Sequence, residues 1–225
     1  MSVSILQPLP ETTIWDDDPL MILPRKRPQY FQKDQIIYAS EDHADSIFLV
    51  VSGTVKLSRI SETGRETVLD FLGDDKFFGE TAMQRRGIRG ESAVALEDVT
   101  VMEWSLDDLS RIMMRSPELG GALLRVMADK VSHAHARIES MAIDQISQRL
   151  IKALIRLGEE FGDPGLGTSV HLMPITHELL AKYVGTSREI VTQHMSQLRK
   201  KNLVSYDRAG LDFDPVELKK QIVTR

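Results

Sequence analysis

Cysteine is absent from the 225-residue chain. Disulfides, thiolate metal sites, iron–sulfur clusters and cysteine nucleophiles are excluded together, and a reducing cytoplasm suits such a chain. No stretch approaches the ~20 apolar residues of a membrane-spanning helix, so no membrane partner is expected. The opening MSVSILQPLPETT has neither a basic start nor an apolar run, and no secretory signal is expected there. Catalytic motifs are missing too: there is no nucleophile elbow, phosphate-binding loop or zinc signature. Glu80 lacks a close carboxylate or histidine with which to form an acid/base pair. His133 and His135 are two apart on a helix and cannot share a face, and His171, His177 and His194 show no ligand spacing. An enzyme and a metal site are both disfavoured.

What is present suits two modest domains. The chain is 42% hydrophobic and 27% charged, enough for a core beneath a solvated surface. Its net charge of −5 is unevenly spread. From Gln145 onward 12 Lys and Arg stand against 9 Asp and Glu, while residues 1–144 hold 16 against 24. An acidic front half and a mildly basic back half suit contact with nucleic acid through the back half. Between Gln35 and Trp104, β-branched and aromatic runs alternate with glycine and acidic turns, predicting an antiparallel sandwich or barrel. The runs are Gln35–Tyr38, Ser46–Val51, Thr54–Ile60, Glu66–Phe71 and Val99–Trp104.

Helical patterning begins at Leu106, with Ser105 placed as an N-cap and acidic residues in the first turn. A long helix is predicted from Pro117 to Ile143. Its heptads put Leu124, Met127, Val131, Ala134, Ile138 and Met141 at successive a and d positions. That narrow stripe fits either a dimer seam or a helix lying on the sheet. A second helix follows over Asp144–Phe161, then the loop Gly162–Gly167.

Residues 175–204 carry the functional signal. Leu180 and Val184 share a helix face, and Gly185 ends that helix. The next helix would bury Val191, Met195 and Leu198 and leave a polar face opposite, which makes a helix-turn-helix. First-turn residues of such a second helix reach base edges in the major groove, so Arg188, Glu189, Thr192 and Gln193 are the candidate base readers. Arg suits guanine, Glu cytosine and Gln adenine. Thr176, His177, Ser187, Arg199, Lys200 and Lys201 are candidate phosphate contacts. Two plainer readings stand beside these. Thr186-x-x-Glu189 matches a capping box, and Arg199-Lys200-Lys201 would complement the helix dipole. Ser205–Phe213 reads as a strand pair forming a wing.

Phe77-Phe78-Gly79-Glu80 and Val184–Val191, in this order around a long central helix, resemble the cyclic-AMP receptor protein and FNR family of bacterial regulators. The likeness covers roughly residues 28–213. It implies an α+β chain made of an N-terminal extension (1–27), a cyclic-nucleotide-binding-type β-roll (28–116), a dimerisation helix (117–143) and a winged helix-turn-helix (144–225). It further implies a cytoplasmic homodimer that binds a palindromic site on double-stranded DNA and acts on RNA polymerase. The effector pocket it implies is Gly79, Glu80, Thr81, Arg89, Glu91 and Ser92, open to an unidentified small molecule. Here the sequence departs from cyclic-AMP-binding members: Glu91 stands where the phosphate-pairing arginine belongs, and a carboxylate there repels a cyclic phosphate. Arg89 is the nearest replacement. Ala134-His135 falls where a Thr-Ser pair meets the purine, Gln193 replaces a usual arginine, and Asp34 and Glu41 stand at turn glycines. Ordinary cyclic-AMP control is therefore not expected. The alternative is a ligand sensor that acts mainly through protein partners, which would not need the polar face of Arg188, Glu189 and Gln193.

Overall fold

The computed structural model describes residues 22–84, 87–165 and 168–223. Most of the expected N-terminal extension, residues 1–21, lies outside these, as do Leu166 and Gly167 of the predicted loop. Eight strands fill the front of the chain: β1 (Gln29–Phe31), β2 (Ile36–Tyr38), β3 (Ser46–Ser52), β4 (Val55–Ile60), β5 (Glu66–Leu72), β6 (Phe77–Phe78), β7 (Ser92–Ala95) and β8 (Val99–Ser105). They form two four-stranded antiparallel sheets, ordered β1-β8-β3-β6 and β2-β7-β4-β5. Alternation places Val50, Val55, Val99 and Val101 between the sheets, fully buried. Phe48 and Phe78 stack there with ring centres 5.1 Å apart. Asp34 and Glu41 do adopt the left-handed backbone of the glycines they replace, at φ 66° and 74°.

The helices are α1 (Leu106–Arg115), α2 (Glu118–Ile143), α3 (Ile146–Phe161), α4 (His177–Val184), α5 (Arg188–Lys200) and α6 (Pro215–Val223). Ser105 caps α1, its hydroxyl accepting the N–H of Asp108 at 3.1 Å. The first turns of α2 bury Leu119 and Leu123 against Trp104 and Leu109, which fixes one end of this helix to the β-roll. Its 26 residues then extend about 39 Å. The second helix starts two residues later than the sequence suggests. Asp144 turns away to take the hydroxyl of Ser140 at 2.5 Å, and Gln148 caps the N–H of Gln145 at 3.0 Å.

Short strands β9 (Asp163–Pro164), β10 (Val170–Leu172), β11 (Val204–Tyr206) and β12 (Leu211–Phe213) form a third sheet, ordered β11-β12-β10-β9. Leu154, Leu172, Leu180, Val191, Met195, Phe213 and Leu218 make its core with the surrounding helices. This core continues into Val68 and Phe71 of β5, so the C-terminal unit packs on the β-roll.

Candidate nucleic-acid interface

The turn between α4 and α5 is built from one carbonyl and one glycine. Ala181 O accepts both the Gly185 N–H (2.9 Å) and the Thr186 N–H (3.0 Å). Gly185 takes φ 79°, a left-handed conformation that L side chains adopt at a cost. Thr186 is thereby committed to closing α4, and the cap of α5 falls one residue later than the capping-box reading. Ser187 Oγ accepts the Ile190 N–H at 3.4 Å. Glu189 still serves the helix start: its own backbone N–H and the Ser187 hydroxyl hold its carboxyl below the usual range.

Val191, Met195 and Leu198 are buried, so α5 is oriented by its apolar side. Arg188, Glu189, Thr192 and Gln193 lie exposed on the other side, brought together on the first two turns. Thr192 has less freedom than its neighbours. Its hydroxyl donates to Arg188 O at 2.9 Å and meets His177 Nδ1 at 3.0 Å. Around this face stand the other candidates. Thr176 caps α4 through the Leu179 N–H at 3.1 Å, and Ser187 caps α5. Arg199 lies over the Tyr206 ring at 5.2 Å, Lys201 Nζ is 3.5 Å from Gln221 Oε1, and Lys200 is exposed. Strands β11 and β12 pair from Val204–Phe213 to Tyr206–Leu211, giving a hairpin beside α5. Sequence reasoning missed Tyr206, whose ring supports both Arg199 and His177. Its position in the wing strand was legible, but not its contact across to α5.

The six β-roll candidates also converge, yet most of their polar groups are bonded within the fold, with Arg89 Nε a buried donor left without a partner among the described residues. Arg89 is 2% exposed. Its guanidinium donates to Gly79 O and Ser46 O, both at 2.8 Å, and lies 4.3 Å from the Tyr38 ring centre. Arg89 is thus a buried prop holding the turn, and not a free cation standing in for the missing arginine. Gly79 takes φ 80°, and a Cβ added there would lie 2.8 Å from Arg89 Nη1, so a larger residue would have to displace that guanidinium. Glu91 is buried, accepting hydrogen bonds from Tyr38 (3.0 Å) and Thr81 (3.1 Å). Burial first, and then the Glu91 charge, push the Tyr38 phenol well above its ordinary range. Ser92 Oγ accepts the Ser40 N–H at 2.8 Å, and Glu80 pairs with Lys130 of α2 at 2.8 Å.

Along α2 the apolar stripe faces outward. Leu124, Val131, Ile138 and Met141 are 60%, 53%, 65% and 42% exposed, while Ala134 is exposed and Met127 half-buried. The helix therefore does not lie on the sheet along this side, as an ordinary amphipathic helix would.

Comparison with known proteins decides the family. A cyclic nucleotide-binding domain model matches residues 28–116, and a Crp-like helix-turn-helix domain model matches residues 148–218. The chain is 30% identical over 180 residues to the cyclic AMP receptor protein of Thermus thermophilus, covering 78% of this chain and 80% of that one. It belongs to the CRP/FNR family of transcription regulators. It is also 26% identical over 196 residues to the global nitrogen regulator of Synechococcus elongatus, covering 86% of this chain and 88% of the relative. A solved CRP/FNR-family regulator, also from Thermus thermophilus, superposes with a TM-score of 0.73 at 26% identity, covering 88% of this chain and all of that one. The exposed polar face of α5 is accordingly the face of a DNA-binding regulator. Within this CRP/FNR chain, no described helix is long and apolar enough to cross a membrane.

Proposed function

We propose that this CRP/FNR regulator acts in the cytoplasm as a homodimer on a palindromic operator, raising or lowering transcription through RNA polymerase. The observation that carries it is the first-turn cluster of α5, polar and exposed above a buried apolar side. Arg188 is placed to bond guanine O6 and N7, and Gln193 suits adenine. Glu189 has one oxygen left for cytosine N4 after serving its helix. Thr192 offers mainly its methyl, since its hydroxyl proton is used. Ser187, Lys200 and Lys201 are placed for phosphates. The outward seam of Leu124, Val131, Ile138 and Met141 supplies the two-fold contact, putting two copies of α5 on half-sites about one helical turn apart. Ordinary cyclic AMP is not the β-roll's ligand in this reading. A buried carboxylate, Glu91, stands where the family resemblance puts the phosphate-pairing arginine, and it is already bonded to Tyr38 and Thr81.

Selection of purified protein on random duplex pools, without added ligand, tests the proposal. A two-fold symmetric motif should be enriched. Recovery of no motif, or of an asymmetric one, contradicts it.

A further inference from the structure

A cavity of about 520 Å³ opens between α2, α3 and α4, beside the turn that leads into β6. Five cationic side chains line it, Lys76, Arg137, Arg149, Lys152 and Arg156, against the carboxylates of Glu159 and Glu160. Asp70 and Asp144 stand just outside, bonded to Arg156 and Lys152. Positive charge remains in excess by one even when all four acids are counted. The rest of the wall is Ala136, Met141, Ala153, Tyr183 and Val184, with His133 and Ser140 as its other polar members.

Two of the cations are committed to structure. Arg137 donates to the carbonyls of Val68 and Leu69 in β5 and of Tyr183 in α4. Arg156 joins Asp70 of β5 to the Tyr183 hydroxyl, at 2.8 and 2.9 Å. Arg149 is different. Its Nε is buried with no hydrogen-bond partner among the described residues, a state that costs free energy until an acceptor arrives.

From this charge excess, the unmet donor and the apolar wall, we infer that the cavity binds a small organic anion with an aromatic or apolar body. It also follows that occupancy alters how the DNA-binding unit sits. The volume fits a small molecule and is generous for a bare inorganic ion. The lining residues Ala136, Arg137 and Ser140 lie off the a and d positions of Leu124, Val131 and Ile138. A dimer formed through that seam leaves each cavity within one chain, with Met141 at the shared edge. An anion here meets Arg137 and Arg156, two of the side chains that tie α4 to β5. The coupling half of the proposal rests on the DNA-binding reading above.

The probe is 1-anilinonaphthalene-8-sulfonate, an aromatic anion that fluoresces when taken out of water, titrated into the full chain. Saturable binding at one site per chain is expected. Arg149→Ala should weaken it about tenfold or more. Ala136→Trp, at an exposed helix position, should block it while leaving the thermal transition in place. Ser92→Ala in the β-roll should leave it unchanged. Equal affinity in Arg149→Ala and Ala136→Trp overturns the site, as does loss of binding confined to Ser92→Ala. In the second arm, saturating probe should shift affinity for a selected duplex several-fold, and no shift overturns the coupling. Loss of all DNA binding with probe affinity intact overturns the DNA reading and leaves the cavity site standing.

Discussion

The hydroxyl of Thr192 has one proton, and it goes to the carbonyl of Arg188. His177 Nδ1 stands 3.0 Å away, and with the hydroxyl proton so placed the ring donates in their contact. Through this contact His177 holds Thr192 at the start of α5. Burial first and the nearby Arg188 charge second lower the His177 pKa, so the ring is neutral at pH 7. In the wing the reverse holds: the hydrogen bond to Asp212 raises His171. NMR titration should find His177 below and His171 above the ordinary value of 6.5. The stabilisation from His171 is complete below its unfolded value and disappears as pH rises through the raised folded one. Coincident titration of the two rings would contradict these contacts. None of this was legible in the sequence, because 15 residues separate His177 from Thr192 and only the crossing of two helices joins them.

Among elements, β5 has a role that its sequence conceals. Its alternation gives Val68 to a core, but nothing local shows that this core belongs to the C-terminal unit. The contact is held at its rim by Glu66, which takes Lys56 at 2.6 Å and Lys182 of α4 at 2.9 Å. Burial alone would raise this carboxyl, yet the hydrogen bonds from Lys56 and Lys182 outweigh it and bring it down to about 2. A depressed folded value stabilises above the unfolded one, ordinarily 4.5, and that stability is lost as pH falls towards 2. Glu66→Gln should flatten the acid limb of the stability curve in that window, measured by denaturant unfolding. An unchanged slope would mean the pair is idle. Arg137→Gln should cost on the order of 2–3 kcal/mol, since a charged donor to three carbonyls is removed. It should also expose the α4–β5 contact to hydrogen exchange. The strands β3, β4, β5 and β8, the cap at Ser105 and the helix-turn-helix were legible because each is a local pattern. Strands β1 and β6 lay outside the predicted runs, and they are defined by their pairing with β8 and β3.

For the whole molecule, the decisive asymmetry lies along α2. Its first turns are buried under Trp104, while Leu124, Val131 and Ile138 are more than half exposed. Exposed apolar residues repeating at heptad spacing mark an interface, and sedimentation should find a dimer at micromolar concentration. Leu124→Glu with Ile138→Glu should yield folded monomer, and a wild-type monomer would remove the seam. The heptad spacing marked the stripe but left open whether it packs on the sheet, whereas the internal bonding of the β-roll became visible only with Arg89 and Glu91 buried. The central claim, that the first turns of α5 read bases on a two-fold site, meets its most direct test at Arg188. Affinity would be measured for wild type and Arg188→Ala against every single-base variant of a selected operator. Base reading predicts lost discrimination at one guanine in each half-site, worth about 1–3 kcal/mol, with the other positions unchanged. Uniform weakening across all variants would make Arg188 a phosphate contact and contradict it.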